Sequence, residues 1–482
     1  MKAGRVAIIG GGVAGLAAGI RLARQGMQVH LYEARDKLGG CCSTTDVDGY
    51  RFNNGAMFVA VPRLLDHAFA QLQLDRSILV PLRRIATPQA SLLPSGTQVI
   101  LDDQYHVRIE GKDGATRTAR LQGEIERCIA KWSPLLRIFI DDLLPQPMSL
   151  GRVIAKAWRH LPKLRGDLAD ELKRSFSDPE ARSALAAVTL YTGLPAERTP
   201  VFLIVGLISM LQDGLYLPAG GMGTISDVLH QTFLNLGGKV HTHSAVARIR
   251  IEAGRACGLV FCSGEEVRAD AVISTASGMA TFSQLLAPAD VPSAMRRRVQ
   301  KAPLSQRTLG IQLGLANVLQ PPAHSVNHIP LMESQQHMLA PQPFGVKWFN
   351  YTVPTLPMPE LAPPGGSIVE MFAAVDESLP LDAWTENAKR AAAEAAIDAL
   401  AKHQPLDIVA RRLISPRDYA QDMHLYAGAV YGLSPAARPD QQFPHITPVK
   451  GLYLAGQTTS PGFGVSTSVL SGVFAAEALL EQ

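Results

Sequence analysis

The sequence predicts an α/β protein built on a parallel sheet, and three observations carry that expectation. A β-branched run, Arg5–Ile9, leads straight into a glycine-rich turn, a helical stretch and a second strand. A similar strand, glycine loop and helix recur at residues 451–480. The 482 residues are roughly three times an average domain, so at least two lobes are expected. With 47% hydrophobic residues there is ample core, while the 18% of charged residues falls below the roughly 25% usual in soluble domains and points to apolar surface or an apolar cavity. A net charge of +4, spread along the chain, is too weak and diffuse for a nucleic-acid footprint, and no nucleic-acid partner is expected.

Arg5-Val6-Ala7-Ile8-Ile9 suits a buried parallel strand, and Gly10-Gly11-Gly12-Val13-Ala14-Gly15 follows it as G-x-G-x-x-G. In that context Gly10 permits the tight turn, Gly12 lets the backbone approach a pyrophosphate, and Gly15 lets the helix lie close to the sheet. The helix is expected over residues 13–25, with Leu16, Ala17, Ile20 and Ala23 at helical spacing and Gly26 as its stop. Phosphate then sits at its N-terminus, beside Val13 and Ala14. The next strand, Gln28–Tyr32, ends at Glu33, 18 residues beyond Gly15, where a carboxylate accepts hydrogen bonds from ribose hydroxyls and repels a 2′-phosphate. The glycines alone also fit a plain βαβ turn; with Glu33 they read as an adenine-dinucleotide site, open between FAD and NAD.

The continuation, Glu33-Ala34-Arg35-Asp36-Lys37-Leu38-Gly39-Gly40, resembles the E-x-R-x-x-x-G-G extension of glutathione-reductase-type flavoproteins. That resemblance implies FAD, with Gly39, Gly40, Cys41 and Cys42 beside the diphosphate and ribityl chain. Arg35 and Lys37 then face phosphate. Taken alone the stretch also fits a flexible turn with two solvated basic residues. Near the other end, Gly451-Leu452-Tyr453-Leu454-Ala455-Gly456-Gln457 is a strand ending in glycine, and a loop through Gly464-Val465-Ser466 opens an Ala/Leu-rich helix. Free N–H groups there suit an electron-rich flavin edge or the ribityl phosphate. By itself this is an ordinary strand-loop-helix.

Over nearly its whole length the chain resembles the carotenoid (phytoene) desaturase branch of the FAD-dependent amine oxidase-like superfamily. Tyr216-Leu217-Pro218-Ala219-Gly220-Gly221-Met222-Gly223 is similar to that family's Y-x-P-x-G-G-M-G turn, and Ala269-Asp270-Ala271-Val272-Ile273-Ser274-Thr275-Ala276 to its return strand. Gly237-Gly238-Lys239-Val240 and Val246-Ala247-Arg248-Ile249 resemble the strand pair whose backbone holds adenine. The resemblance implies a Rossmann-type FAD-binding lobe at residues 1–75, 216–285 and 440–482, interleaved with an α+β substrate lobe at 76–215 and 286–439. It also implies Asn54, Gly55 and Ala56 beside the flavin and Val246 at the adenine. Three departures stand out: Cys41-Cys42-Ser43 where the family reads R-A, Asn53 where it has Asp, and Ser460 where it has His. A cation and a carboxylate expected near the flavin are missing, and another cation must substitute.

In the substrate lobe, runs at 308–315, 346–352 and 367–375 alternate as strands of one mixed sheet. Residues two apart share a face, so Trp348 with Asn350 and Phe349 with Tyr351 form either an aromatic cavity floor or core packing. Residues 354–366 form an irregular proline-rich connector. Residues 151–165 place Arg152, Lys156, Arg159 and Lys163 opposite Val153, Ile154, Ala157, Leu161 and Leu164, as in a basic amphipathic helix. Such a helix fits a peripheral membrane contact, an acidic carrier protein or an ordinary solvated face, with Pro162 set to end it early.

The resemblance implies transfer of hydride from a lipophilic or polyene-like substrate to flavin N5, with loss of a neighbouring proton. The alternative is a natural-product flavin oxidase acting on a smaller amine, an amino-acid-derived or a carrier-tethered substrate. A third reading is a flavoprotein-like binding module without turnover. Tyr426 and His424, shortly before the C-terminal loop, are the proton-handling candidates. One dinucleotide fingerprint and no Cys-x-x-Cys pair leave oxygen, a quinone or another acceptor to take the electrons. The five cysteines lack metal-ligand spacing and read as free thiols in a reducing compartment, so no metal is expected. No leader pattern precedes the first strand, and the apolar run at 202–211 is about half the ~20 residues of a membrane span, which together predict a cytoplasmic protein.

Overall fold

The structure is a computed structural model that describes residues 4–102, 104, 106–335 and 349–482. A five-stranded sheet runs in the order Lys239–His241, Gln28–Tyr32, Arg5–Ile9, Ala271–Ser274, Leu452–Leu454, with every pairing parallel. Such a sheet is covered on both faces, which is why its strands read as near-continuous Val, Ile and Leu. Val6 and Ile8 join the core under the helices, and Ala7 and Ile9 join a second core shared with Ile249, Leu259 and Phe261. Those residues belong to a three-stranded antiparallel sheet, Val246–Glu252, Arg255–Phe261 and Glu266–Arg268. Helix Val13–Ala23 packs between helices Gly223–Asn235 and Val465–Leu480. Glycine sets both approaches: a Cβ on Gly472 would lie 2.1 Å from the Ala14 carbonyl oxygen, and one on Gly19 would lie 2.8 Å from the Phe233 ring.

Residues 239–240 and 246–249 do not pair with one another, contrary to the sequence expectation. Lys239–His241 extends the parallel sheet beside Gln28–Tyr32, and Val246 begins the antiparallel one. Between them the backbone turns at His243 (φ 51°) and spends its N–H groups on the neighbouring loop, His243 donating to the Arg35 carbonyl and Ser244 to that of Glu33.

A second, mixed sheet has eight strands in the order Ile408–Ile414, Thr308–Leu315, Ser367–Ala374, Phe349–Thr352, Ser325–His328, Gln89–Leu92, Gln98–Leu101, Val107–Glu110. Only the Ser325–His328 and Gln89–Leu92 pairing is parallel. Its two faces are chemically opposite. Leu309, Ile311, Leu313, Tyr351, Val369 and Met371 form one apolar core with Ala392, Ala393, Ala396, Ile397 and Leu400 of helix Glu386–Ala401. The other face carries Gln89, Ser91, Gln312, Ser325, Asn327, Asn350, Thr352 and Glu370, all buried. Tyr351 therefore packs on the helix side, and Asn350, one residue earlier, points to the opposite face. Trp348 lies outside the described residues.

Residues 151–165 do not make one amphipathic helix. The α-helix Leu150–Ala157 gives way to a 3-10 segment, Trp158–Leu164. Pro162 has no N–H, and its ring would clash with the carbonyl four residues earlier, so the α-helical pattern stops. Ala157 is buried, while Ile154, Trp158 and Leu161 are exposed among the basic side chains rather than sequestered from them. Among the described residues no helix is long and apolar enough to cross a membrane. The apolar run near 202–211 lies largely in helix Ile204–Asp213, which buries Leu207, Ile208 and Leu211.

Candidate cofactor and active site

One cavity of about 900 Å³ is lined both by the loops of the parallel sheet and by the polar face of the mixed sheet. At the first end, Gly10 takes a left-handed conformation (φ 96°) and its N–H donates to the Tyr32 carbonyl (2.8 Å). Helix Val13–Ala23 begins at Gly12 with no side-chain cap. A Cβ on Gly12 would meet no atom within 4 Å, so bare backbone faces open space. Gly15 of the glycine motif does not line the cavity. Its missing side chain serves packing instead, because a Cβ there would sit 2.1 Å from the Gly10 carbonyl oxygen.

Glu33 is held by two backbone donors, Gly11 N–H to Oε2 (2.7 Å) and Arg35 N–H to Oε1 (3.0 Å). An ionised carboxylate has about four acceptor sites, so two remain for ribose hydroxyls. Gly39 N–H donates to the Gly11 carbonyl (2.8 Å), binding the diglycine to the first turn. Ala34, Arg35, Gly39, Gly40, Cys41, Cys42, Asn54, Gly55, Ala56 and Val246 all line the cavity, whereas Lys37 is exposed outside it.

Helix Val465–Leu480 supplies a second bare N-terminus. Its N-cap, Gly464, provides no side-chain hydrogen bond, and the first intrahelical bond is Ser468 N–H to the Gly464 carbonyl (2.9 Å). The N–H groups of the first turn, from Val465 onward, have no intrahelical acceptor. Gly456, Gly464, Val465 and Ser466 face the same cavity as Gly12 and Val13. Two uncapped helix ends aimed at one space are suited to a diphosphate and to an electron-rich ring. The residues present thus fit a flavin dinucleotide.

The sequence departures have structural partners. Burial pushes the Cys41 thiol up to about 11 and that of Cys42 higher still, so both stay neutral. Asn53 does not reach the cavity, contrary to its expected place beside the flavin. Its Oδ1 accepts from Met222 N–H (3.1 Å), its backbone N–H donates to Glu370 Oε1 (2.7 Å), and its Nδ2 donates to Glu370 Oε2 (3.5 Å). Burial raises Glu370 to about 7, opposed by the Asn53 donors and by Arg412. Arg412 Nη1 donates to Asn54 Oδ1 (2.6 Å) and Gln312 Oε1 (2.7 Å), which brings a guanidinium to the wall that Cys41 and Asn54 share.

Beyond the nucleotide end the cavity is amphiphilic. Val61, Leu64, Val188, Met210 and Leu215 form an apolar wall; Gln89, Tyr191, Thr308, Ser325 and Asn350 form a polar floor. The Tyr191 hydroxyl pairs with Ser325 Oγ. Burial raises its pKa, and the amides of Asn327 and Asn350 lie near enough to oppose that rise. Yet both amide atoms of Asn327 and of Asn350, together with Ser91 Oγ and Thr308 Oγ1, make no well-formed hydrogen bond within the protein. A buried polar group left so costs about 1–3 kcal/mol.

His424 and Tyr426 both line the cavity, His424 exposed and in a left-handed conformation (φ 54°), Tyr426 half-buried. Sequence reasoning missed the polar floor and Tyr191. The available signal was the alternation Gln89-Ala90-Ser91, Ser325-Val326-Asn327 and Asn350-Tyr351-Thr352, which an ordinary sheet with one solvated face also shows.

A parallel sheet whose glycine loops and helix ends surround one dinucleotide-sized cavity, closed by a second sheet, defines a nucleotide-cofactor oxidoreductase. The chain belongs to the flavin containing amine oxidoreductase family, whose profile matches residues 13–480. FAD is its cofactor, and it is an FAD-dependent oxidoreductase. It is 24% identical to a 4,4'-diapophytoene desaturase (4,4'-diapolycopene-forming) of Methylomonas sp, over 96% of this chain and 92% of that protein. It is 27% identical to a zeta-carotene-forming phytoene desaturase of Myxococcus xanthus, over 99% of this chain and 94% of that protein. Among solved structures it shares its fold with an oxidoreductase from Methanosarcina mazei (TM-score 0.66, 17% identity, 99% of this chain and 100% of that one). Cyclohexylamine oxidase from Brevibacterium oxydans IH-35A is also similar (TM-score 0.60, 17% identity, 99% of each chain).

Proposed function

We propose that this protein dehydrogenates a lipophilic or polyene-like substrate, forming a carbon–carbon double bond. The observation that carries this reading is the apolar wall of Val61, Leu64, Val188, Met210 and Leu215, continuous with the cavity of the two bare helix ends. The desaturase names of the full-length relatives support it. Bound flavin supplies the acceptor for the hydride that leaves the substrate carbon. The protein's part is to hold the C–H bond in line, exclude water and receive the one proton lost from the neighbouring carbon. His424 is the group we assign to take that proton at a ring nitrogen, with the Tyr426 hydroxyl relaying it; both line the cavity.

The exposed Ile154, Trp158 and Leu161, set among Lys156, Arg159 and Lys163, suit contact with an anionic lipid surface from which such a substrate is drawn. The decisive experiment mixes yellow, oxidised protein anaerobically with a C30 or C40 polyene precursor in anionic vesicles. Loss of the flavin's visible band together with a longer product chromophore supports the proposal. A band that persists with these precursors but bleaches with a small amine establishes the amine-oxidising alternative instead.

A further inference from the structure

We infer that the substrate carries an uncharged hydrogen-bonding head, of carboxamide or hydroxyl type, which docks on the polar floor at Asn350, Ser325 and Tyr191. This rests on the proposed dehydrogenation of a largely apolar chain and specifies the end of that chain. Asn350 is fully buried, lines the cavity, and makes no well-formed hydrogen bond through its amide nitrogen or oxygen, the Tyr191 hydroxyl being the polar neighbour close enough to act on it. It is not an isolated flaw. Ser91, Asn327 and Asn350 are in register across three neighbouring strands, and all three carry side-chain polar atoms that make no well-formed hydrogen bond. Native interiors satisfy such groups with water or a ligand.

The character of the head follows from what the floor offers. An amide presents one donor side and one acceptor side, and the Tyr191–Ser325 hydroxyl pair can do either. Among the described residues lining the cavity, the Asp, Glu, Lys and Arg side chains are Glu33 and Arg35, both at the nucleotide end, and His424 is the one other ionisable base. A carboxylate or ammonium head would therefore be desolvated without a counter-charge, which is strongly unfavourable. A plain hydrocarbon would leave the amides unpaired.

The test uses the FAD-loaded protein and four ten-carbon probes: decanamide, 1-decanol, decanoate and decane. Binding is read from perturbation of the flavin spectrum and from calorimetry, so no turnover is needed. Decanamide or 1-decanol is expected to bind at least tenfold more tightly than decane or decanoate. Asn350→Leu is expected to cut that preference below threefold while decane still binds, and Ser325→Ala provides a second variant should the first not retain FAD. Equal affinities for amide, alcohol and alkane, tighter binding of decanoate, no binding of the amide and alcohol, or a preference unchanged in the variants overturns the inference. Dehydrogenase failure appears separately, as head-group selectivity without bleaching by any polyene.

Discussion

Two glycines of the same motif do different work, and a methyl group separates them. At Gly12 an added Cβ meets nothing within 4 Å, whereas at Gly15 it lies 2.1 Å from the Gly10 carbonyl oxygen. Gly12→Ala should therefore leave the apoprotein's melting temperature nearly unchanged while weakening FAD binding at least tenfold. Gly15→Ala should destabilise the apoprotein by about 2 kcal/mol or more, as overpacking does. Thermal melts with and without FAD check both. Asn53 and Glu370 make a second contrast. Burial raises Glu370 from 4.5 to about 7 in the folded protein. The native state thus keeps a proton the unfolded chain has lost, so this group's contribution is complete below about pH 4.5 and is lost as pH rises through about 7. Glu370→Gln should flatten that decline, a difference of roughly 3 kcal/mol between acidic and mildly alkaline pH, read from denaturant unfolding at several pH values. Asn53→Asp should steepen it, because a second carboxylate would face the first within the same buried pocket.

At the scale of elements, the helix N-terminus at Gly464 provides positive potential without a positive side chain. Ser466→Asp should spare the helix, since acidic residues are favoured in a first turn, but should oppose charge developing on the flavin. The expected outcome is a midpoint potential lower by roughly 30 mV, about 1.4 kcal/mol for two electrons, measured by anaerobic dye equilibration. The elements around the nucleotide were legible in the sequence for a local reason. Gly10 to Gly15, Glu33 and the diglycine carry their constraints within a few residues, in turns that only glycine satisfies. The strands Arg5–Ile9 and Gln28–Tyr32 fall where their apolar runs placed them. The polar floor was not legible, because alternation says that a sheet has two unlike faces and not which one meets water. Tyr351 and Asn350 differ in role through the packing of helix Glu386–Ala401, some 35 residues further on. Gly15, counted among the cofactor residues from its spacing, keeps only the packing role that the motif also gave it, and the Gly10 carbonyl is the atom that enforces it.

For the whole molecule, the cofactor cavity depends on contacts between the two ends of the chain. Helices Val13–Ala23 and Val465–Leu480 each present a bare N-terminus to it, and their mutual packing fixes how those ends converge. The closest approach is at Gly472, where a Cβ would stand 2.1 Å from the Ala14 carbonyl oxygen and 3.0 Å from the Ala17 side chain. Gly472→Ala should therefore wedge the helices apart and lower apoprotein stability and FAD affinity together, unlike Gly12→Ala, which separates them. Overpacking of this kind typically costs about 1–3 kcal/mol. Ligand that binds only the folded state returns about 2.7 kcal/mol at a hundredfold excess over its dissociation constant. Excess FAD should thus restore much of the lost melting temperature of Gly472→Ala while its dissociation constant remains raised, measurable by titrating flavin fluorescence. A variant that loses stability but binds FAD as tightly as the parent would show that the two helix ends are not positioned by this contact.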